Sequence, residues 1–263
     1  MNIKSLDKSE NKLSFLISGI SPAIANSLRR TIMEEVPVLA IEDIEFKDNS
    51  AVLYDEMVAL RIGLVPLTTD LKTYELPEEC SCKEKGCAKC QLKMSLKVRS
   101  AGNVYASEIK TKDPKVNPVY PKMPIVKLLK GQKLDFEATA ILGKGKVHAK
   151  WCPGLVYYRA KPLIEIKGKV ENPEQVVASC PVNVFGLKQD QVVINKDNEM
   201  ACHLCLACVE KSNNAIEVEG SETDFIFMIE SWGQLEPREM VKEAVKIFGS
   251  KLDDFQAKVK ELK

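Results

Sequence analysis

The sequence predicts an α+β chain assembled from non-contiguous parts. Three observations carry this: an amphipathic helical run directly after Ser21-Pro22, a long middle section of short alternating β-like runs, and a terminal helix with a heptad seam. The β-like stretches between the two helices are punctuated by Pro and Gly, the signature of strands joined by turns.

Taken in order, residues 13–17 (Leu-Ser-Phe-Leu-Ile) read as an opening strand. Ser21 is placed to cap the helix that follows, and Pro22 sits at its first position, where a missing N–H costs nothing. Ile24, Leu28 and Ile32 recur every four residues on one face, and Pro37 closes the run. From about residue 41 to 165 come β-like runs such as 93–98 and 135–140, while 113–124 reads as a Pro-rich loop. Glu42, Asp43 and Glu45 alternate with apolar residues, as one solvated strand face does. Gly143-Lys144-Gly145-Lys146 lacks the spacing of a phosphate loop and reads as a hairpin turn. Residues 166–222 are cysteine-punctuated, 225–229 form a strong strand, and Pro237 opens the last helix. There Val241, Val245, Phe248, Leu252, Phe255, Val259 and Leu262 keep a 4,3 spacing over about three heptads. Met240, Ala244 and Ile247 make a second apolar stripe, so two faces compete for the chain's own core and for a partner.

Composition narrows the function classes. The 263 residues are 45% hydrophobic, ample for a packed core, and carry 38 basic against 37 acidic groups for a net charge of +1. No basic field is available to grip a phosphate backbone, so a DNA-binding module is disfavoured. No run approaches ~18 apolar residues, and the first residues lack the apolar region of a signal peptide, so a cytoplasmic protein without membrane contact is expected. Nine cysteines then point to metal or redox chemistry, with disulfides kept open because hyperthermophile interiors carry them.

Eight of the cysteines fall into two groups of four. Cys202-x2-Cys205-x2-Cys208 with a remote Cys180-Pro181 is the ligand spacing of a bacterial ferredoxin cluster, [3Fe-4S] or [4Fe-4S]. Zinc, which more often draws two ligand pairs, is the competing reading. His203 inside this loop reads as a solvent-facing neighbour. Cys80-x-Cys82-x4-Cys87-x2-Cys90 lies among Glu78, Glu79, Lys83, Glu84, Lys85 and Gly86, too polar a loop to fold on a core, and predicts zinc or disulfides. Cys152 reads as a small buried hydrophobe. With His148 and His203 as the only histidines and no Asp-x-Asp cluster, no catalytic residue is assigned.

Residues 26–37, Asn-Ser-Leu-Arg-Arg-Thr-Ile-Met-Glu-Glu-Val-Pro, together with Arg61-Ile62-Gly63-Leu64-Val65-Pro66-Leu67, resemble the assembly-platform subunits of multisubunit RNA polymerases, the family of bacterial alpha and its archaeal counterpart, called D. Val147-His148-Ala149-Lys150-Trp151-Cys152-Pro153 resembles the Ala-Lys-Trp-Ser-Pro run of archaeal and eukaryotic members, with Cys152 in place of Ser. The cysteines at 180, 202, 205 and 208 resemble the insertion of iron–sulfur-containing archaeal members, so the similarity is to that type. The resemblance implies a discontinuous alpha-like dimerisation domain from 1–40 and 223–263, an inserted mainly β domain over 41–165, and a ferredoxin-like iron–sulfur domain over 166–222. It further implies a non-catalytic platform of the archaeal DNA-dependent RNA polymerase, itself a nucleotidyltransferase. Such a platform forms a heterodimer with the smaller alpha-like subunit L through 22–36 and 237–262, including Phe248, Leu252, Phe255 and Val259. Arg29 and Arg30 would dock the second-largest of the polymerase subunits, unless they are only a solvated flank. Subunits N, P and B, the last being that second-largest one, are the further implied contacts, and DNA is met only through the complex. An iron–sulfur electron-transfer or redox-sensing protein is the alternative function.

Overall fold

The computed structural model describes residues 1–83 and 85–262. Glu84 of the 80–90 loop and Lys263 at the end of the 223–263 segment lie outside the described residues. In chain order the strands and helices are β1 (Asn2–Lys8), β2 (Lys12–Ser18), α1 (Pro22–Glu34), β3 (Val38–Asn49), α2 (Asp55–Gly63), β4 (Gln91–Val98), β5 (Gly102–Tyr105), β6 (Lys110–Thr111), β7 (Pro124–Leu128) and β8 (Leu134–Gly143). They continue with β9 (Gly154–Ile166), α3 (Pro173–Ser179), β10 (Phe185–Lys188), β11 (Gln191–Ile194), α4 (Ala207–Lys211), β12 (Ile216–Ser231) and α5 (Pro237–Glu261). One compact unit comprises Met1–Lys8, Ser14–Asn26 and Tyr157–Met228, and a second comprises Ser9–Leu13, Ser27–Val156 and Ile229–Lys263.

The second unit is organised by an antiparallel sheet of order β3-β8-β4-β6. Strict alternation sets its faces: Leu92, Met94 and Leu96 of β4 are buried while Lys93, Ser95 and Lys97 face out. Leu134, Phe136, Ala138, Ala140 and Leu142 of β8 do the same opposite them, in the register Leu96↔Phe136 and Met94↔Ala138. The Pro-rich loop from 113 to 123 is held in place, with Val116 buried and Asn117 N donating to Thr68 Oγ1 at 2.9 Å. Asp70 accepts from Lys115 Nζ at 2.9 Å, and Tyr74 Oη donates to Asp113 at 2.8 Å, so this loop is clamped to residues 68–74.

The segments that carry the family resemblance are mostly internal braces. Arg61 on α2 donates to the carbonyls of Ile125 at 2.6 Å and Pro124 at 2.8 Å. Lys150 donates to the Ile41 carbonyl at 3.0 Å, pairs with Glu42, and lies over the Trp151 ring. Ile41 and Glu42 stand where the β3–β8 register shifts, so Lys150 braces a β-bulge. Gly143-Lys144-Gly145-Lys146 is not the hairpin turn that its sequence suggests, because β8 and β9 belong to different sheets. A Cβ on Gly143 would meet the Trp151 ring at 2.3 Å, and one on Gly145 the Met33 carbonyl oxygen at 2.1 Å. The glycines are there for close approach, not for turn geometry.

In the first unit Phe15, Tyr158 and Phe227 stack, with centroids 5.4 and 5.3 Å apart, on the sheet of order β1-β2-β12-β9. A second small core gathers Val176 of α3, Val184, Phe185 of β10, Val192 of β11, Ile216 and Val218, and it also takes in Cys202 and Cys208. Thus residues 166–222 do hold a small core of their own, mostly valines around Phe185 and Ile216, with two cysteines contributing to it.

Candidate functional site

Two of the candidate surfaces lie on helices. Ser21 caps α1 as its sequence predicts, with Ile24 N donating to Ser21 Oγ at 3.4 Å. Burial falls on Ala25 and Ile32, whereas Ile24 is 51% exposed. Arg30 closes a bidentate pair on Glu34, both bonds at 3.0 Å, which holds the Glu34 carboxyl below its ordinary range. Arg29 reaches Met33 Sδ at 3.7 Å. Both arginines therefore make contacts within their own helix.

On α5 the two stripes separate cleanly. Met240 and Ala244 are fully buried, so this stripe meets the chain's own core. The heptad stripe is left in water: Val245, Leu252, Phe255, Val259 and Leu262 are 46–79% exposed, with Val241 and Phe248 half-buried. From Lys251 onward every described residue of the helix is exposed. The helix is 25 residues, about 38 Å, and Lys251 Nζ ties it to Glu35 at 2.6 Å. An exposed apolar row of this length is the kind of surface that a protein contact would cover.

The loop 80–90 brings its four thiols together. Sγ distances are 3.5 Å for Cys80–Cys87, 3.5 Å for Cys82–Cys90 and 3.8 Å for Cys87–Cys90, and all four lie within 4.8 Å of one another. A tetrahedral ion with metal–sulfur bonds of ~2.3 Å sets its ligands about 3.8 Å apart, so this group can hold a metal. The loop is built as a knuckle: Lys83 N donates to Cys80 O at 3.0 Å, Gln91 N to Cys87 O at 2.9 Å, and Cys87 N to Cys90 Sγ at 3.3 Å. Gly86, at φ +81°, makes the reversal. The Lys89 backbone N–H and then the Cys80 thiol pull Cys87 down to about 7, which readies one thiolate at neutral pH. Burial pushes Cys90 up to about 12, the cost that a bound cation removes.

The second group is contributed by several elements. Cys180 caps α3 at its C-terminal end and accepts from Val184 N at 3.3 Å, Cys202 follows a 3-10 turn at Glu199–Ala201, and Cys208 lies on α4. All four sulfur residues line one cavity, walled by Val182, Phe185, Leu206 and Val218. His203 is exposed, as is Cys205. Among the described residues, the compact thiol group that fits a single ion is that of the 80–90 loop. Leu204 and Leu206 both take left-handed backbone, at φ 60° and 62°, a strained choice for leucine on either side of Cys205. Gly220 leaves room for it, since a Cβ there would meet Leu204 Cδ1 at 3.2 Å. Burial, then the neighbouring Cys202 and Cys205 charges, push the Cys208 thiol up, so a cationic occupant is what would let all these thiolates coexist.

Sequence reasoning missed Arg159 of β9, which donates to the carbonyls of Met200, Ala201 and Cys202. Cys152 is only partly buried, and its thiol faces the Gly154 carbonyl at 3.2 Å.

Residues 42–152 match the RNA polymerase Rpb3/RpoA insert domain. Over 262 residues, 97% of both chains, the protein is 39% identical to the DNA-directed RNA polymerase subunit Rpo3 of Methanosphaera stadtmanae. It is 35% identical to the same subunit of Methanosarcina acetivorans over 265 residues, 100% of this chain and 99% of that one. Against that of Pyrococcus horikoshii the identity is 34% over 255 residues, 97% and 96% of the two chains.

Proposed function

Because the chain belongs to the family of archaeal DNA-directed RNA polymerase subunits named Rpo3, we propose that it is a non-catalytic platform on which an archaeal RNA polymerase assembles. The observation that carries this reading is the heptad stripe of α5, a row of large apolar side chains that the chain's own core does not cover. A smaller alpha-like subunit with a matching helix, subunit L by family resemblance, is the proposed cover for Phe248, Leu252, Phe255 and Val259. The dimerisation domain is then assigned to 1–40 and 223–263, the insert to 41–165, and a ferredoxin-like section to 166–222. The family match over 42–152 falls inside the assigned insert. Subunits N, P and B are the further proposed partners, with Arg29 and Arg30 beside the contact to the last of these.

Within this reading Cys180, Cys202, Cys205 and Cys208 hold an iron–sulfur cluster, and Cys80, Cys82, Cys87 and Cys90 hold zinc. A cluster bound there would supply strong iron–thiolate links joining the α3 end, the 202–206 loop and α4. The chain's own residues do the rest: Val182, Phe185 and Val218 wall the site and limit water, Val184 N–H donates to the Cys180 sulfur, and the left-handed Leu204 and Leu206 bend the loop on either side of Cys205. With so short a core, this section draws much of its folding energy from those links.

Co-expression with the smaller alpha-like subunit tests the platform reading. A 1:1 complex by native mass is expected, and a chain that stays monomeric beside it rejects the reading. Cys205→Ser tests the cluster: iron and acid-labile sulfide should fall and 166–222 should exchange hydrogen faster, while the 1:1 complex persists. Anaerobically purified protein without iron or sulfide rejects the cluster.

A further inference from the structure

The grip of Arg159 is unusual because its three acceptors are consecutive. Nη2 donates to the Met200 carbonyl at 2.5 Å, and Nη1 to those of Ala201 at 3.1 Å and Cys202 at 2.7 Å. These are the last carbonyls of the Glu199–Ala201 turn and the carbonyl of the first ligand in the cysteine ladder. Carbonyls at the end of such a turn lack partners within it, and a planar guanidinium fork supplies several donors at fixed angles where a lysine supplies a single point charge. The backbone of Cys202 is thereby tied to β9, a strand bonded into the sheet, and not merely to its own loop. Arg159 Nε is buried and has no hydrogen-bond partner, although nearly every buried donor in a folded protein has one.

We infer that Arg159 is the positioning residue of the cysteine set 180, 202, 205 and 208: it fixes the Cys202 end of the ladder and holds a positive charge against the loop that bears three of the four thiolates. The inference rests on the iron–sulfur reading above. A cluster gains one negative charge on one-electron reduction, and a fixed cation nearby favours the more negative state. Arg159 therefore raises the reduction potential of a cluster at this site, besides holding its ligand loop still. Neither effect requires Arg159 to touch the iron.

The test compares wild-type full-length chain with Arg159→Gln and Arg159→Lys, purified anaerobically and reconstituted with ferrous iron and sulfide. Iron and sulfide content, the midpoint potential in a dithionite titration followed by electron paramagnetic resonance, and hydrogen exchange over 199–208 are read for each. Arg159→Gln should lower the midpoint potential and exchange at least tenfold faster over 199–208. Arg159→Lys should recover most of the potential, because the charge is kept, but not the protection, because the fork is lost. A Gln variant with wild-type potential and wild-type exchange overturns the inference. One that keeps wild-type exchange over 42–152 yet takes up no iron supports the positioning role. Loss of protection across the whole chain in both variants overturns it in favour of general packing. Wild-type chain without iron or sulfide rejects the iron–sulfur reading itself, and the exchange comparison over 199–208 still decides whether Arg159 holds the loop.

Discussion

Truncating Phe255 to alanine separates the two stripes of α5 by their energetics. Phe255 is 67% exposed, so the chain alone gains little from its ring. Complete burial of a phenylalanine contributes about 1.5–3 kcal/mol, and a partner that covered the open two-thirds would recover about 1–2 kcal/mol of it. Phe255→Ala should therefore weaken association with the smaller alpha-like subunit by about 5–30-fold. The same change should move the chain's own unfolding free energy by no more than about 0.5 kcal/mol. Met240→Ala is the mirror case: the side chain is 0% exposed, and its loss should cost the chain about 2–5 kcal/mol. Titration calorimetry with the purified partner and urea unfolding of each chain alone give both quantities. An unchanged dissociation constant for Phe255→Ala, or an unfolding midpoint lowered as far as that of Met240→Ala, refutes the assignment of the exposed stripe to a partner.

The Asp70 brace, the 80–90 cysteine loop and a pair of glycines give further outcomes. Asp70 is held at about 2, first by Lys115 and then by the Lys72 N–H and Thr73, against an ordinary 3.8. Its folded value is depressed, so its contribution is complete above about pH 4 and is lost as pH falls toward 2; the urea-midpoint gap between wild type and Asp70→Asn should shrink over that window, and a constant gap refutes the pairing. Cys90→Ser should remove about one zinc per chain by elemental analysis and loosen the backbone around 75–91, and wild-type protein devoid of zinc rejects zinc there. Gly145→Ala, whose Cβ would stand 2.1 Å from the Met33 carbonyl oxygen, should destabilise by about 1–3 kcal/mol. Gly249→Ala on α5, with nothing within 4 Å, should instead stabilise by about 0.5–1 kcal/mol, and equal thermal shifts for the two would contradict the packing argument.

Local chemistry was legible where it depends on spacing alone. Ser21-Pro22 at the start of α1, the alternation in β4 and β8, the strand at 225–229 and the opening of α5 at Pro237 all follow from short-range rules, and the structure has each of them. Asn172-Pro173 is such a signal for α3 that sequence reading passed over. Periodicity placed two apolar stripes on α5 but carries no information about which one the chain's own core takes up, since both satisfy a helical repeat. The hairpin expected at 143–146 failed because glycine serves close approach as readily as reversal between paired strands, and only the third dimension distinguishes them. Arg159 was invisible for a different reason: its acceptors are backbone carbonyls 41 to 43 residues downstream, and a carbonyl leaves no mark in a sequence. The left-handed Leu204 and Leu206 run against residue preference, as strained functional backbone does.

Stepwise assembly of an archaeal RNA polymerase from its purified subunits, with and without this chain, tests the platform function most directly. Omitting the chain should prevent the two largest subunits from entering one complex and abolish RNA synthesis, while the chain alone should synthesise none. Assembly of an active enzyme without it, at the yield and rate of the complete mixture, contradicts the platform function.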